Sequence, residues 1–232
     1  MSHAPAAERV RATGLALCML LPARAAQADT VAPDSAALAA ALRNGCPAAR
    51  LQPMPAVQGC GPAGCGTWLG PLFVDADADA DTGSLRRGTG QPLPVVVDGP
   101  VAAADLPELN WTPLRGYTVR QGRVAWGQCL EFAHAGLGSS GRGQRWRSVL
   151  LVANGGHSAQ RITGYQAGCA ALCAGPGASQ VQLPAVEPVQ LGQPALQIAW
   201  HRCTAQGCER QADDRAVDGL ADSESGLLTL RP

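Results

Sequence analysis

The chain has 232 residues, 18 basic and 18 acidic side chains, and therefore no net charge; every cation is Arg, since Lys is absent. That balance lacks the basic excess by which a nucleic-acid binder attracts phosphate, and no nucleic-acid partner is expected. The abundance of Ala, Gly and Pro reflects a GC-rich bacterial coding bias and carries no functional information.

At the N-terminus Arg9 and Arg11 precede a short apolar run (residues 15–21), Pro22 and the small-residue triplet Ala26-Gln27-Ala28. This is the order of an export signal over residues 1–28, and cleavage is expected after Ala28. Its removal takes three Arg and one Glu and leaves a mature chain at minus two. The apolar run is far shorter than the ~20 residues of a membrane span, and no later segment approaches that length, so no transmembrane anchor is expected. The expected location is periplasmic or secreted; the sequence leaves oligomeric state open.

Residues 29–92 are rich in Ala, Pro and Gly and read as an extension: a short helix over 34–42 capped by Asp34, a clasped loop, and a repetitive tract, Asp75, Asp77, Asp79 and Asp81. Alternating carboxylates suit a hard cation such as calcium. However, Ala80 stands where an EF-hand loop needs Gly and Arg86 where it needs the bidentate Glu, so a solvated loop is the expected state and no metal site is assigned.

From residue 93 to 232 the chain changes to short β-branched and aromatic runs separated by Gly, Pro and Asn. Strands are expected over 93–97, 117–120, 123–132, 148–152, 161–165, 180–183, 196–202 and 227–230. Hairpins are expected over Gln121-Gly122 and Asn154-Gly155-Gly156. The expected class is mainly β, a disulfide-stapled β-sandwich or barrel with a loop-rich N-terminal extension.

With Cys18 in the leader, eight cysteines remain: Cys46, Cys60, Cys65, Cys129, Cys169, Cys173, Cys203 and Cys208. An even set in an exported chain reads as disulfides. Two pairs share the pattern Cys-x-x-x-Gly-Cys, where Gly64 and Gly207 supply the positive φ of a tight reversal. The reading from spacing is three local clasps (Cys60–Cys65, Cys169–Cys173, Cys203–Cys208) and one long bridge, Cys46–Cys129. It is one of the 105 pairings that eight cysteines allow.

No motif carries recognisable catalysis. Gly136, Gly138 and Gly141 match a dinucleotide loop in spacing, but Arg142-Gly143-Gln144-Arg145 follows instead of an apolar helix, so no cofactor is expected. His134, His157 and His201 and several serines are present without a nucleophile elbow. Charge layout is more informative. Between residues 110 and 170 seven Arg face one acid, Glu131, while residues 75–108 and 187–224 carry seven acids each. Interleaved Trp and Tyr make this middle segment a candidate surface for anions and sugars, with Arg142, Arg145, Trp146 and Arg147 as the contact cluster. The bland alternative is a solvated strand face that salt-bridges the acidic flanks.

The stretch Ile198-Ala-Trp-His-Arg-Cys203-Thr-Ala-Gln-Gly207-Cys208, with Val217-Asp-Gly-Leu220 and Leu227-Leu-Thr-Leu230, resembles the end of the invasion-associated locus B family of exported bacterial proteins. In that family a strand leads into such a clasp, then a short helix and a last strand. The resemblance covers about 35 of the 232 residues. It implies an exported, non-enzymatic β protein linked to host contact and transfers no functional residues. The expected function is binding to an envelope or host macromolecule, an anionic glycan or protein; a secreted hydrolase of unrecognised type is the alternative, and a purely structural envelope component the third reading.

Overall fold

Residues 148–153 run Ser-Val-Leu-Leu-Val-Ala without polar alternation, the pattern of a strand covered on both faces. In the computed structural model, which describes residues 29–31, 39–40, 42–43, 46–61, 64–76, 82–97, 106, 108–134, 146–188, 196–218 and 228–231, this strand lies within the larger of two sheets.

The strands in chain order are β1 (Asp29–Val31), β2 (Arg50–Pro53), β3 (Ala56–Gly61), β4 (Gly64–Leu69), β5 (Leu72–Ala76), β6 (Gly83–Arg87), β7 (Val95–Val97) and β8 (Leu109–Gln121). They continue as β9 (Val124–His134), β10 (Trp146–Ala153), β11 (Ala159–Tyr165), β12 (Cys173–Ala174), β13 (Val181–Pro188), β14 (Leu196–Cys203), β15 (Cys208–Asp218) and β16 (Leu228–Arg231). The large sheet has the order β1-β16-β15-β14-β13-β11-β10-β9-β8-β2, with β12 added to β13 and β7 to β11. A second sheet has the order β3-β4-β5-β6. All pairings are antiparallel except β7 on β11. The path ends at β1 and β2, so among the described residues the large sheet does not close into a barrel.

Alternation along β10 feeds two cores. Val149, Leu151 and Ala153 pack with Ile162, Val181, Leu183 and Leu172, while Leu150 and Val152 pack with Leu130, Phe132, Leu69, Leu72, Val74 and Leu85. The second core is walled by the small sheet. Residues 50–92, read from composition as an extension, therefore form five strands and one side of the interior. The expected hairpins are present: β8 turns into β9 at Gly122, where φ is +57°, and β10 pairs with β11 across the Asn154-Gly155 turn. Ala39, Ala40 and Leu42 are helical; Asp34, the expected cap, lies outside the described residues, as do the leader and residues 219–227, where the resemblance implies a short helix.

Four disulfides staple this frame. Cys60 lies opposite Cys65, and Cys203 opposite Cys208, on paired strands with Cα atoms 3.9 and 4.0 Å apart. Gly64 and Gly207 take φ of +113° and +152° at these reversals, as the clasp pattern requires. The other two bridges correct the pairing read from spacing: Cys46 joins Cys173 and Cys129 joins Cys169, with Cα separations of 5.8 and 5.9 Å. A 3-10 turn over Cys169–Ala171 separates the two cysteines expected to clasp each other. Its first N–H is taken by Glu131 Oε1 at 2.8 Å, which seats Cys169 against β9. Cys173 then opens β12, next to the segment containing Cys46, where Ala48 bridges Cys173 and Ala174 N–H donates to Pro47 O.

Loop-closure entropy ranks the bridges. Cys46–Cys173 spans 127 residues and Cys129–Cys169 spans 40, against five for each clasp, so removal should cost about 5, 4 and 2 kcal/mol respectively. Paired Cys→Ala variants compared by urea unfolding should follow that order; equal losses at a clasp and at Cys46–Cys173 would contradict it.

Candidate functional site

β11 changes partners along its length: Ala159 to Arg161 pair with β7, and Tyr165 pairs with Val186 of β13. Beside the β7 pairing a cleft of about 400 Å³ is lined by Thr82, Val95, Val97, Glu108, Trp111 and Arg161. Trp111 is held edge-on by Phe132, ring centroids 5.9 Å apart at 67°. Gly83 of β6 makes room for the indole: a Cβ there would sit 2.4 Å from Trp111 Cγ and 2.5 Å from Asp75 O. The ring is thus partly buried against the second core while also lining the cleft.

Behind the cleft, three strands place polar side chains in an otherwise apolar layer. Ser148 of β10 is opposite Thr163 of β11 and Phe132 of β9, two residues from His134. The Ser148 hydroxyl lies 2.6 Å from Thr163 Oγ1 and 2.9 Å from His134 Nε2, and it accepts from Arg161 Nε at 3.1 Å. Buried polar groups are costly unless bonded, and this network bonds them to one another. Burial, and then the nearby Arg161 and Arg147 charges, push His134 down to about 4, so its ring is neutral at pH 7. Burial also lowers Arg161 to about 10, which leaves it protonated. The ladder thus contains one positive charge, with the guanidinium oriented by Ser148.

A Ser–His contact invites comparison with a hydrolase, but the surroundings differ from what nucleophilic catalysis needs. Ser148 is fully buried and its oxygen is filled by three neighbours. Among the described residues His134 Nδ1 has no hydrogen-bond partner, so no carboxylate orients the ring, and a histidine pushed to about 4 is a weak base. The pair serves to position Arg161. A second buried cluster lies further along the sheet: Arg210 Nε donates to Glu187 Oε1 at 2.5 Å, with His201 Nε2 3.9 Å from the same oxygen. Burial and then Arg210 hold His201 at about 4, so that contact is not an ion pair, whereas Arg210 and the carboxylate form one.

The structure separates the contact cluster expected from sequence. Arg142 and Arg145 lie outside the described residues. Trp146 is half-buried, edge-to-face with Tyr165 at 6.3 Å. Arg147 is half-buried, donates to Trp146 O at 2.9 Å and acts electrostatically on Glu131. Burial raises the Glu131 carboxyl, against the lowering effects of the Cys169 N–H and of Arg115 and Arg147. Of the Asp tract, Asp75 sits on β5 with Arg86 at 3.6 Å, and Asp77, Asp79 and Asp81 lie outside the described residues. Among the described residues no three His, Cys, Asp or Glu converge on a metal position, and no helix is long and apolar enough to cross a membrane.

The exposed Arg are elsewhere. Arg50 of β2 is directly opposite Arg120 of β8, whose Nη2 donates to Arg123 O at 2.8 Å, and Arg115 lies further along β8. Arg50, Arg115 and Arg123 are exposed and Arg120 half-buried, and among the described residues none of the four makes an ion pair. Comparison with protein-family models, with curated proteins and with solved structures finds no match to this chain.

Sequence reasoning overlooked Ser148, Thr163, Trp111 and Arg161 as a group. The available signal was a lone Ser at the head of the apolar run 149–153, facing a strand that alternates Arg161 and Thr163 with apolar residues.

The two histidines make stability pH-dependent. As pH falls below 6.5 the unfolded chain takes up protons that folded His134 and His201 refuse until about 4, so stability is lost across that window, by up to about 1.4 kcal/mol per pH unit per histidine. Glu131, with its raised value, has the opposite sign: its contribution is present in acid and lost as pH rises above about 4.5. The urea midpoint should therefore drop between pH 7 and pH 5, and most of the drop should vanish in His134→Asn/His201→Asn. An identical drop in the double variant would refute the assignment.

Proposed function

We propose that the protein is an exported binding module of the bacterial envelope that recognises an anionic glycan through the β2–β8 edge. Export is supported by the leader-like residues 1–28 and by four disulfides, the chemistry of an oxidising compartment. The resemblance of residues 198–230 to the invasion-associated locus B family points the same way, toward host contact without catalysis.

The observation that carries the reading is the Arg50–Arg120 pair. Residues directly opposite on antiparallel strands stand about 5 Å apart, and like charges there are destabilising. Arg123, exposed in the adjacent turn, accepts from Arg120 through its backbone carbonyl, and no described carboxylate relieves the repulsion. An anionic group seated between the guanidinium groups converts that repulsion into forked, charge-assisted hydrogen bonds. Exposed Arg50 and Arg123, which make no ion pair among the described residues, favour binding over a purely structural envelope role.

The experiment uses heparin, a sulfated glycan, as probe. Its affinity should fall steeply with salt, and Arg50→Glu should weaken it at least tenfold. The same substitution replaces a repulsive cross-strand pair by an attractive one, so the melting temperature should rise by about 1–3 °C. Heparin affinity unchanged in Arg50→Glu would overturn the reading.

A further inference from the structure

We propose that the Cys60–Cys65 clasp is a thiol–disulfide exchange site, opened by a dithiol in the folded protein while the other three bridges stay intact. It belongs to the small sheet and does not depend on the role of the β2–β8 edge.

The two Cys-x-x-x-Gly-Cys clasps are alike in sequence and in register, each joining residues directly opposite on antiparallel strands. Burial sets them apart. Cys60 and Cys65 are both exposed. Gly59, Gly61, Gly64 and Gly66 flank them, and none carries a side chain that could cover the sulfurs. Each of the other bridges includes an inaccessible cysteine: Cys203 in the first core with Cys208 packed against it, Cys129 and Cys169 together, and Cys173 bonded to half-buried Cys46.

Exchange requires a thiolate to reach one sulfur and expel the other, so access and the stability of the leaving thiolate govern its rate. Attack on Cys46 or Cys208 would expel the thiolate of Cys173 or Cys203 into the interior, where an isolated charge is penalised. At Cys60–Cys65 either sulfur can be attacked and either leaves into water. The thiolate of the dithiol bonds to one sulfur, the Cys60–Cys65 bond breaks, and the departing thiolate takes a proton. The second thiol of the reagent then loses its proton and attacks the mixed disulfide, releasing the remaining cysteine as a thiol. Two electrons pass to the protein, which gains two thiols, and the reagent ends as an intramolecular disulfide.

Opening is local and reversible. The β3–β4 ladder runs from Ala56 opposite Leu69 to Gly61 opposite Gly64, and Gln58 Nε2 donates across it to Thr67 Oγ1 at 2.8 Å. β4 is held in turn by β5, and Leu69 is anchored in the second core. The two thiols therefore remain opposite each other and can close again without a search among other cysteines.

The test treats the native, disulfide-intact chain with dithiothreitol at pH 8 without denaturant, traps thiols with N-ethylmaleimide and maps them by mass spectrometry. Cys60 and Cys65 should be labelled together and at least tenfold faster than any other cysteine, with the β signal in circular dichroism retained. Low urea concentrations, below the unfolding transition, should leave that rate unchanged while accelerating labelling of Cys203 and Cys208. Cys60→Ser/Cys65→Ser should lose the fast phase and keep the slow ones, and reoxidation of the opened protein with glutathione disulfide should restore the Cys60–Cys65 bond. Labelling of Cys60 and Cys65 no faster than that of Cys203 and Cys208, a fast phase that persists in the double variant, or loss of the β signal on opening would each overturn the proposal.

Discussion

The architecture depends on β10 being covered on both faces. Its alternate residues belong to different interiors, Val149 and Leu151 to one and Leu150 and Val152 to the other, and all are essentially inaccessible. Each such side chain contributes roughly 1.5–3 kcal/mol through burial, and a slip of one residue would exchange the two sets completely. Two separate covers are then required. The small sheet β3–β6 supplies one and the segment from Ala167 to Leu172 contributes to the other. The two long disulfides act on that second cover, tying it to β9 through Cys129–Cys169 and to the segment preceding β2 through Cys46–Cys173.

The same double coverage creates the cleft. On the face toward the small sheet, strand alternation brings Ser148, Thr163 and Arg161 into one layer, where unbonded polar atoms would be penalised. Their mutual hydrogen bonds satisfy that layer, and Arg161, itself buried, lines the same cleft as Trp111. The histidine that looks catalytic in isolation is a neutral support of this layer.

Charge is sorted by the fold in a way linear sequence does not show. The seven Arg between residues 110 and 170 do not form one surface among the described residues. Arg147 acts on Glu131, Arg161 enters the polar ladder, Arg115 and Arg120 lie on β8, next to the β2 edge, with Arg123 in the turn that follows, and Arg50 from outside the segment stands opposite Arg120. An Arg on an edge strand also discourages pairing with foreign strands, so this stripe protects the edge while presenting cations to solvent.

Sequence alone determined the β character of the described residues from 93 onward, the hairpins at Gly122 and at Asn154-Gly155, and the two Cys-x-x-x-Gly-Cys clasps, because each depends on neighbours a few residues apart and on glycine backbone freedom. Only tertiary structure decided the rest. The Ala/Gly/Pro-rich residues 50–92 become strands because a few apolar side chains, Leu69, Leu72, Val74 and Leu85, find a partner sheet, and the charged β15 is a strand because β14 and β16 flank it. Cys169 and Cys173 choose distant partners because an intervening turn points them at different strands. Ser148, Arg161 and Trp111 meet through register and through space at Gly83, relations between segments that no local pattern encodes.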